Sequence, residues 1–303
     1  MKDSPRAQSV RRRLLNLSRA RGEDFQLTLV QFAIERLLYR LGTAPGGERF
    51  LLKGAMLFAL WSGQAHHPTR DLDLAGRGDP SPDGLAAFFR TLCTLSVADD
   101  GLRFDAESVQ VAGIREQQAY QGQRVRLLAY LGSARIALQV DIGFGDAVTP
   151  PPQEVLFPTL LDLPAPRLRV YPKETVIAEK LHAMTTLGLL NSRMKDFYDL
   201  DWMARSFEFA GTSLVEAIRA TFVRRQTTLP VETPVSLTPL FAGDPTKLVQ
   251  WEAFLRRSGL APEDLPLAAV IERLHLFLNL PLQAAAGPAP FLLHWNPDGP
   301  WLP

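Results

Sequence analysis

The 303-residue sequence is poor in three things: it has one cysteine, only six lysines among 33 basic side chains, and no unbroken apolar run of membrane-spanning length. A lone Cys93 cannot form an internal bridge, so a disulfide scaffold is excluded and a reduced, cytoplasmic protein is expected. Residues Met1 to Arg21 are basic but lack the apolar stretch of a signal peptide, so neither export nor a membrane partner is expected. With 33 basic against 32 acidic side chains the formal charge is +1, and the sequence lacks the global basic excess of many nucleic-acid binders. Any contact with a polyanion must therefore be local. Internal repeats and low-complexity runs are also missing. The length suggests about two domains, enough to bury a core without a metal or disulfide staple.

Apolar residues at three- and four-residue steps predict two helices between residues 6 and 41. A short apolar run, Phe50-Leu51-Leu52, precedes Gly54 and a helical stretch from Ala55 to about Trp61. Thr69-Arg70-Asp71-Leu72-Asp73-Leu74 alternates polar and apolar as a half-buried strand does. Pro82 to about Leu95 reads as helix. Strands are predicted at 102–111, 124–131 and 135–142, the last two joined through Gly132-Ser133 as a hairpin. A proline cluster at 150–152 interrupts the pattern, and from Pro172 the period is helical. The expected division is therefore 1–150, helices with a sheet, and 151–303, mostly helical, with a loop over 227–246. The tail, rich in proline from Pro281 onward, is expected to lack regular structure.

Asp71 and Asp73 lie two apart on a predicted strand, so both carboxylates leave one face, about 7 Å apart, while Leu72 and Leu74 face a core. Adjacent like charges are unfavourable unless a cation lies between them, and Mg²⁺ prefers one or two carboxylates with phosphate oxygens and water. Asp141 closes the apolar strand 136–140 and would join the pair if the two strands are neighbours. Three acids with one or two cations make metal-dependent phosphoryl transfer plausible. Surface acids at a strand end give the same pattern. Lys53-Gly54-Ala55 precedes the acids, and a glycine at a helix start lets backbone amides approach an anion; helix packing explains it equally.

Lys173 and Lys180, seven apart on a helix opened by Pro172, share the side of Ile177 and Met184. Such cations either snorkel or meet an anion. On the next helix Lys195 and Asp199 stand four apart, as an ion pair would, and Asp196 shares a face with Asp199. A solvated helix face accounts for these charges too. Yet four of the six lysines, at 53, 173, 180 and 195, fall in these segments of a chain that otherwise uses arginine.

These residues carry a resemblance. Leu52-Lys-Gly-Ala-Met-Leu-Phe-Ala-Leu-Trp61, Thr69-Arg-Asp-Leu-Asp-Leu74, Val140-Asp141, Tyr171-Pro-Lys-Glu-Thr-Val-Ile-Ala-Glu-Lys-Leu181 and Asn191-Ser-Arg-Met-Lys-Asp-Phe-Tyr-Asp-Leu200 occur in the order seen in the AbiEii/AbiGii toxin family of nucleotidyltransferases, which the chain resembles from about Arg12 to Arg205. The resemblance implies an α+β fold, a polymerase-β-like nucleotidyltransferase mixed sheet flanked by helices, plus a helical C-terminal domain. It implies Mg²⁺, one ion or two, on Asp71, Asp73 and Asp141, with a nucleoside triphosphate as donor. Lys53, Gly54, Ala55, Arg70, Lys173, Lys180 and Lys195 are then the nucleotide-binding candidates, and Lys180, Asp196 and Asp199 join the three acids as catalytic candidates. It further implies tRNA, modified at its 3′ end, as acceptor, and a cognate antitoxin as partner. Family members often carry Ser or Thr after the glycine where this chain has Ala55, so that hydroxyl is missing here. A kinase-like phosphotransferase acting on protein, and a non-catalytic NTP-binding interaction protein, are the alternatives.

Other residues fit simpler accounts. His66 and His67 read as a solvated loop, Cys93 as a small core residue, and Trp61, Trp202 and Trp251 as packing. Arg11 to Arg13 read as a solvated helix face.

Overall fold

The computed structural model describes residues 4–63, 69–114 and 122–303, so His66 and His67 lie outside the described residues. The chain divides into two compact units, 1–146 with 152–171, and 147–151 with 172–303.

In the first unit, helices α1 (Pro5–Arg21) and α2 (Phe25–Thr43) start where side chains cap them. Ser4 accepts from the Ala7 N–H, and Asp24 from the Leu27 N–H at 2.8 Å. Next come β1 (Phe50–Lys53), the short α3 (Met56–Ser62), β2 (Asp71–Gly76) and α4 (Pro82–Thr94). The strands β3 (Leu102–Ile114), β4 (Gly122–Leu131), β5 (Ala134–Phe144), β6 (Gln153–Leu156) and β7 (Arg167–Val170) complete a mixed sheet of order β3-β4-β5-β2-β1-β7-β6. The expected β4–β5 hairpin forms, with Leu131 opposite Ala134. β2 runs parallel to β5, and β1 parallel to β7. Helices α1, α2 and α4 pack on one another and on the sheet.

A buried polar cluster ties α2 to the rest of this unit. Arg40 meets Asp100 at 2.6 Å, Arg36 donates twice to the Pro164 carbonyl, and the Leu160 N–H donates to Glu35 at 2.6 Å. The last two bonds hold down the segment between β6 and β7. The chain leaves the first unit after Asp146, near the expected residue 150, but returns to it over 152–171, because β6 and β7 extend the sheet and the Tyr171 N–H donates to Leu52 O. A four-residue edge strand offers too few alternations to be read as one.

The second unit is mostly helical: α5 (Lys173–Leu187), α6 (Met194–Ser206), the two-residue β8 (Phe209–Ala210), α7 (Gly211–Arg224), α8 (Pro239–Ala242), α9 (Pro245–Arg257) and α10 (Leu267–Ala286). β9 (His294–Trp295) and β10 (Trp301–Leu302) join β8 in a small antiparallel sheet. Residues 262–286 are long and apolar enough to cross a membrane by length and composition, yet α10 packs on α6, α7 and α8, with Val270, Leu274, Phe277 and Leu278 fully buried. The expected loop 227–246 contains α8, anchored by buried Leu237 and Phe241. The tail corrects the expectation of no regular structure. Pro281 sits inside α10, where its missing N–H leaves the Phe277 carbonyl without a helical donor. The Trp301 indole N–H supplies that bond at 2.9 Å. An aromatic cluster of Phe277, Trp295 and Trp301 then holds the tail against the helix.

Candidate active site

The acids of the first unit stand where strand register puts them. Asp73 on β2 is directly opposite Asp141 on β5, and Lys53 on β1 is directly opposite Asp73. Arg124 on β4 is opposite Asp141. Four neighbouring strands therefore contribute one cross-sheet row, Lys53, Asp73, Asp141, Arg124, with charges plus, minus, minus, plus. Asp71 lies one pleat away on the same face as Asp73 and is exposed. Their strand neighbours Leu52, Leu72, Leu74, Val125, Val140 and Ile142 are at most 1% exposed and fill the opposite face. The alternation that makes the core thus also lines up the charges.

Each end of the row is satisfied by a named partner. Arg124 donates from Nε to Asp141 Oδ1 at 2.8 Å and from Nη2 to Oδ2 at 2.7 Å, a two-pronged pair. The hydrogen bonding to Asp141 raises the guanidinium pKa above its ordinary value, and the charges of Asp141, Asp71 and Asp73 add to this. Lys53 donates to Asp146 at 2.8 Å, and Tyr171 Oη donates to the same carboxylate oxygen at 2.9 Å. The Lys53 ammonium also lies 5.4 Å from the centre of the Tyr171 ring. Asp146 and Tyr171 escape sequence reasoning because they lie just beyond strand ends and meet Lys53 only in the fold, whereas the register of the predicted β4–β5 hairpin was a signal for Arg124 opposite Asp141.

Gly54 has a task the sequence does not reveal. Its φ of +73° is a left-handed conformation, and a Cβ placed there would lie 2.0 Å from Asp73 Oδ2. The glycine admits the aspartate. The helix that follows, α3, has seven residues and buries Met56, Leu57 and Phe58, so steric room for Asp73 accounts for Gly54 without an anion cradle. Ala55 is buried, and Arg70 is exposed just before β2.

Among the described residues, no group of three His, Cys, Asp or Glu side chains is gathered to hold a metal by itself. Asp141, expected as a third metal ligand, has both oxygens on Arg124. Asp71 and Asp73 remain a pair of hard oxygen donors with neither thiolate nor imidazole among the groups of the row. That set fits Mg²⁺, which completes its shell with phosphate oxygens and water.

In the second unit, Lys180 on α5 pairs with Asp196 and with Asp199 Oδ2 at 2.9 Å, both on α6. Burial alone would lower the ammonium pKa, but the two carboxylates outweigh it and raise the value above that of ordinary lysine. The pair expected between Lys195 and Asp199 is replaced by this one: Asp199 is fully buried and points at Lys180, while Lys195 is half-buried at the start of α6. The three charges sum to minus one, so Lys180 would exchange a carboxylate for any phosphate it bound. Lys173 donates to the Glu208 carbonyl, with its ammonium over the Phe209 ring at 4.6 Å. Lys247, buried, donates to the Asn191 carbonyl at 3.0 Å. Trp251 is buried with its indole on Leu265 O, Cys93 is half-buried with its pKa pushed up to about 11 by burial, and Arg11 to Arg13 are exposed.

A mixed sheet carrying paired aspartates on its charged face, flanked by lysine and arginine, has the equipment of a phosphate-transferring enzyme. The family model described as "Nucleotidyl transferase AbiEii toxin, Type IV TA system" matches residues 36–274, and the chain belongs to that family of nucleotidyltransferases. Its α+β fold, a mixed sheet flanked by helices, agrees. No curated protein sequence matches the chain. Among solved structures, JHP933 from Helicobacter pylori is similar at 15% identity and TM-score 0.48, covering 87% of this chain and 91% of that one. A second H. pylori protein, described provisionally as a nucleotidyltransferase, is similar at 14% identity and TM-score 0.44, covering 87% and 94%. Family membership rests on the family model alone.

Proposed function

We propose that the chain transfers a nucleoside monophosphate from an NTP to a hydroxyl of RNA, the 3′ end of tRNA, and so acts as the toxin of a pair whose antitoxin is its protein partner. The supporting observation is the charged row Lys53–Asp73–Asp141–Arg124 with Asp71 beside it. The acceptor oxygen forms a bond to the α-phosphorus, the bond from that phosphorus to the bridging oxygen breaks, and pyrophosphate leaves. Asp71 and Asp73 would hold Mg²⁺, which when bound neutralises triphosphate oxygens. Lys53 holds one end of the row positive and, through Asp146 and Tyr171, keeps a fixed position. Asp141 takes the acceptor proton when Arg124 yields one of its two oxygens. Lys180, Lys173 and Lys195 are the second unit's candidates for phosphate, and Asp196 and Asp199 orient Lys180. NTP and tRNA place the reaction in the cytoplasm.

The test incubates purified protein with each α-labelled NTP, Mg²⁺ and total RNA, then locates the label. Label on tRNA that disappears in Asp73→Ala, with an unchanged melting temperature, supports the reading. A phosphorylated protein product, measured by its mass, would overturn it in favour of a phosphotransferase. Nucleotide binding without pyrophosphate release would identify the non-catalytic alternative, which the missing hydroxyl at Ala55 favours.

A further inference from the structure

Within the second unit, a cavity of about 570 Å³ opens between the first turn of α6 and the outer face of α9. Its charged and aromatic lining is Arg193, Lys195, Asp196, Phe254 and Arg257. Three cations and one acid line the cavity, and that acid, Asp196, is paired with Lys180 through Oδ1, so the lining carries an excess of positive charge. Two of the cations occupy the positive end of a thirteen-residue helix, Arg193 as the residue preceding it and Lys195 in its first turn. Asp196 in the same first turn complements the helix dipole, and the two cations leave that end of the helix with net positive charge. Arg193 makes no capping bond from its side chain, and Arg257 commits only Nε, to the Ala253 carbonyl.

The same cavity has a stacking surface. Phe254 is half-buried, supported by Trp251 at 5.7 Å and Tyr198 at 5.6 Å between ring centres. The bond from buried Lys247 to Asn191 fastens α9 to the residues leading into α6, so the walls are held together before any ligand arrives. Cations that follow a phosphate backbone beside an aromatic ring that takes a base are the two elements of single-strand recognition. The volume is of ligand-pocket size.

We propose that this cavity binds the unpaired end of a single-stranded polynucleotide, through Arg193, Lys195 and Arg257 to its phosphates and Phe254 to a base. Identifying that polymer as the acceptor rests on the nucleotidyltransferase reading; the binding itself does not. The experiment is fluorescence anisotropy of a labelled twelve-nucleotide RNA with the full chain, without NTP or Mg²⁺, over a range of salt. Single strands release counterions with a slope of about −0.7 per neutralised phosphate, so three contacts predict a slope near −2. Arg193→Gln with Arg257→Gln should weaken binding about tenfold at low salt and reduce the slope's magnitude by roughly 1.4. Phe254→Leu should weaken binding about tenfold with little change of slope, provided its melting temperature holds. Unchanged affinity and slope in the double arginine variant would overturn the proposal. So would equal affinity for a duplex of the same sequence, or displacement of the RNA by millimolar ATP, which would make the cavity a mononucleotide site. RNA binding without transfer would remove the nucleotidyltransferase reading and leave this site standing.

Discussion

Replacing Gly54 with alanine adds one methyl group where β1 gives way to α3. An ideal Cβ there lies 2.0 Å from Asp73 Oδ2 and 2.7 Å from both Cβ and Cγ of Asp73, so the carboxylate must turn aside or the two strands must part. The φ of +73° adds roughly 1–2 kcal/mol of backbone strain for a residue with a side chain. In a unit of this size each kcal/mol moves the melting temperature by about 2–4 °C, so a fall of roughly 2–8 °C is expected. The rate should suffer more: displacing a catalytic group by about 1 Å costs on the order of a hundredfold. Initial rates of labelled nucleotide transfer to RNA, taken with calorimetric melting curves, read both effects. The decisive comparison is a cycle with Asp73→Ala. Removing the carboxylate removes the nearest clash but not the strain at φ, so Gly54→Ala should cost less stability in that background. A Gly54→Ala protein with a rate within twofold of the parent, or with the same melting penalty in both backgrounds, refutes the claim that the glycine exists to admit Asp73.

Further outcomes follow from other groups. Arg124→Gln releases the two oxygens of Asp141, so Mn²⁺ binding, followed by water-proton relaxation, should tighten; unchanged affinity would show that the arginine clamp does not limit metal access. Burial raises the Glu35 pKa from 4.5 to about 7, against the Leu160 N–H and the Arg36 charge, which lower it. The protonated form is favoured in the fold, so its contribution is complete below pH 4.5 and is lost as pH rises through 7, by at most about 3 kcal/mol. Glu35→Gln should flatten the fall in denaturation midpoint over that window. Burial, helped by Arg225, lowers the His182 pKa from 6.5 to about 4, with Arg225 donating to Nδ1 and Nε2 facing Thr227. Its contribution is complete above pH 6.5 and lost as pH falls through 4, so His182→Gln should be less sensitive to acid, measured on the same midpoint curve.

What was legible in the sequence follows the range of the interactions. The helices α1, α2, α4 to α7 and α9 are local patterns, four of them opened by Ser4, Asp24, Ser81 and Pro172, and they lie close to their expected bounds. Asp71 and Asp73 were readable because a strand's two-residue period is local, and Asp141 because it ends an apolar run. Whether Asp141 reaches Asp73 depended on β2 and β5 being neighbours, which residue pattern alone leaves open. Arg124 follows from the register of the predicted β4–β5 hairpin, whereas Asp146 and Tyr171 were invisible because Lys53, Asp146 and Tyr171 meet only through contacts distant in sequence. Lys195 misled for the opposite reason: its four-residue spacing to Asp199 is a good local rule, outbid here by Lys180 arriving from another helix. Pro281 shows a propensity overridden by one tertiary bond, from Trp301.

The shared register of β2 and β5 has a bearing on how the first unit assembles. Shifting one strand by a single residue would turn Asp71 and Asp73 toward the layer that Leu72 and Leu74 now fill, and expose two leucines where the charges stand. Such a misaligned sheet would bury ionised oxygens among hydrocarbon, a penalty of several kcal/mol per group in typical proteins. Burial of the leucines therefore acts as a proofreader for the acids: molecules that complete their hydrophobic layer have, by the same act, brought Asp73 level with Asp141.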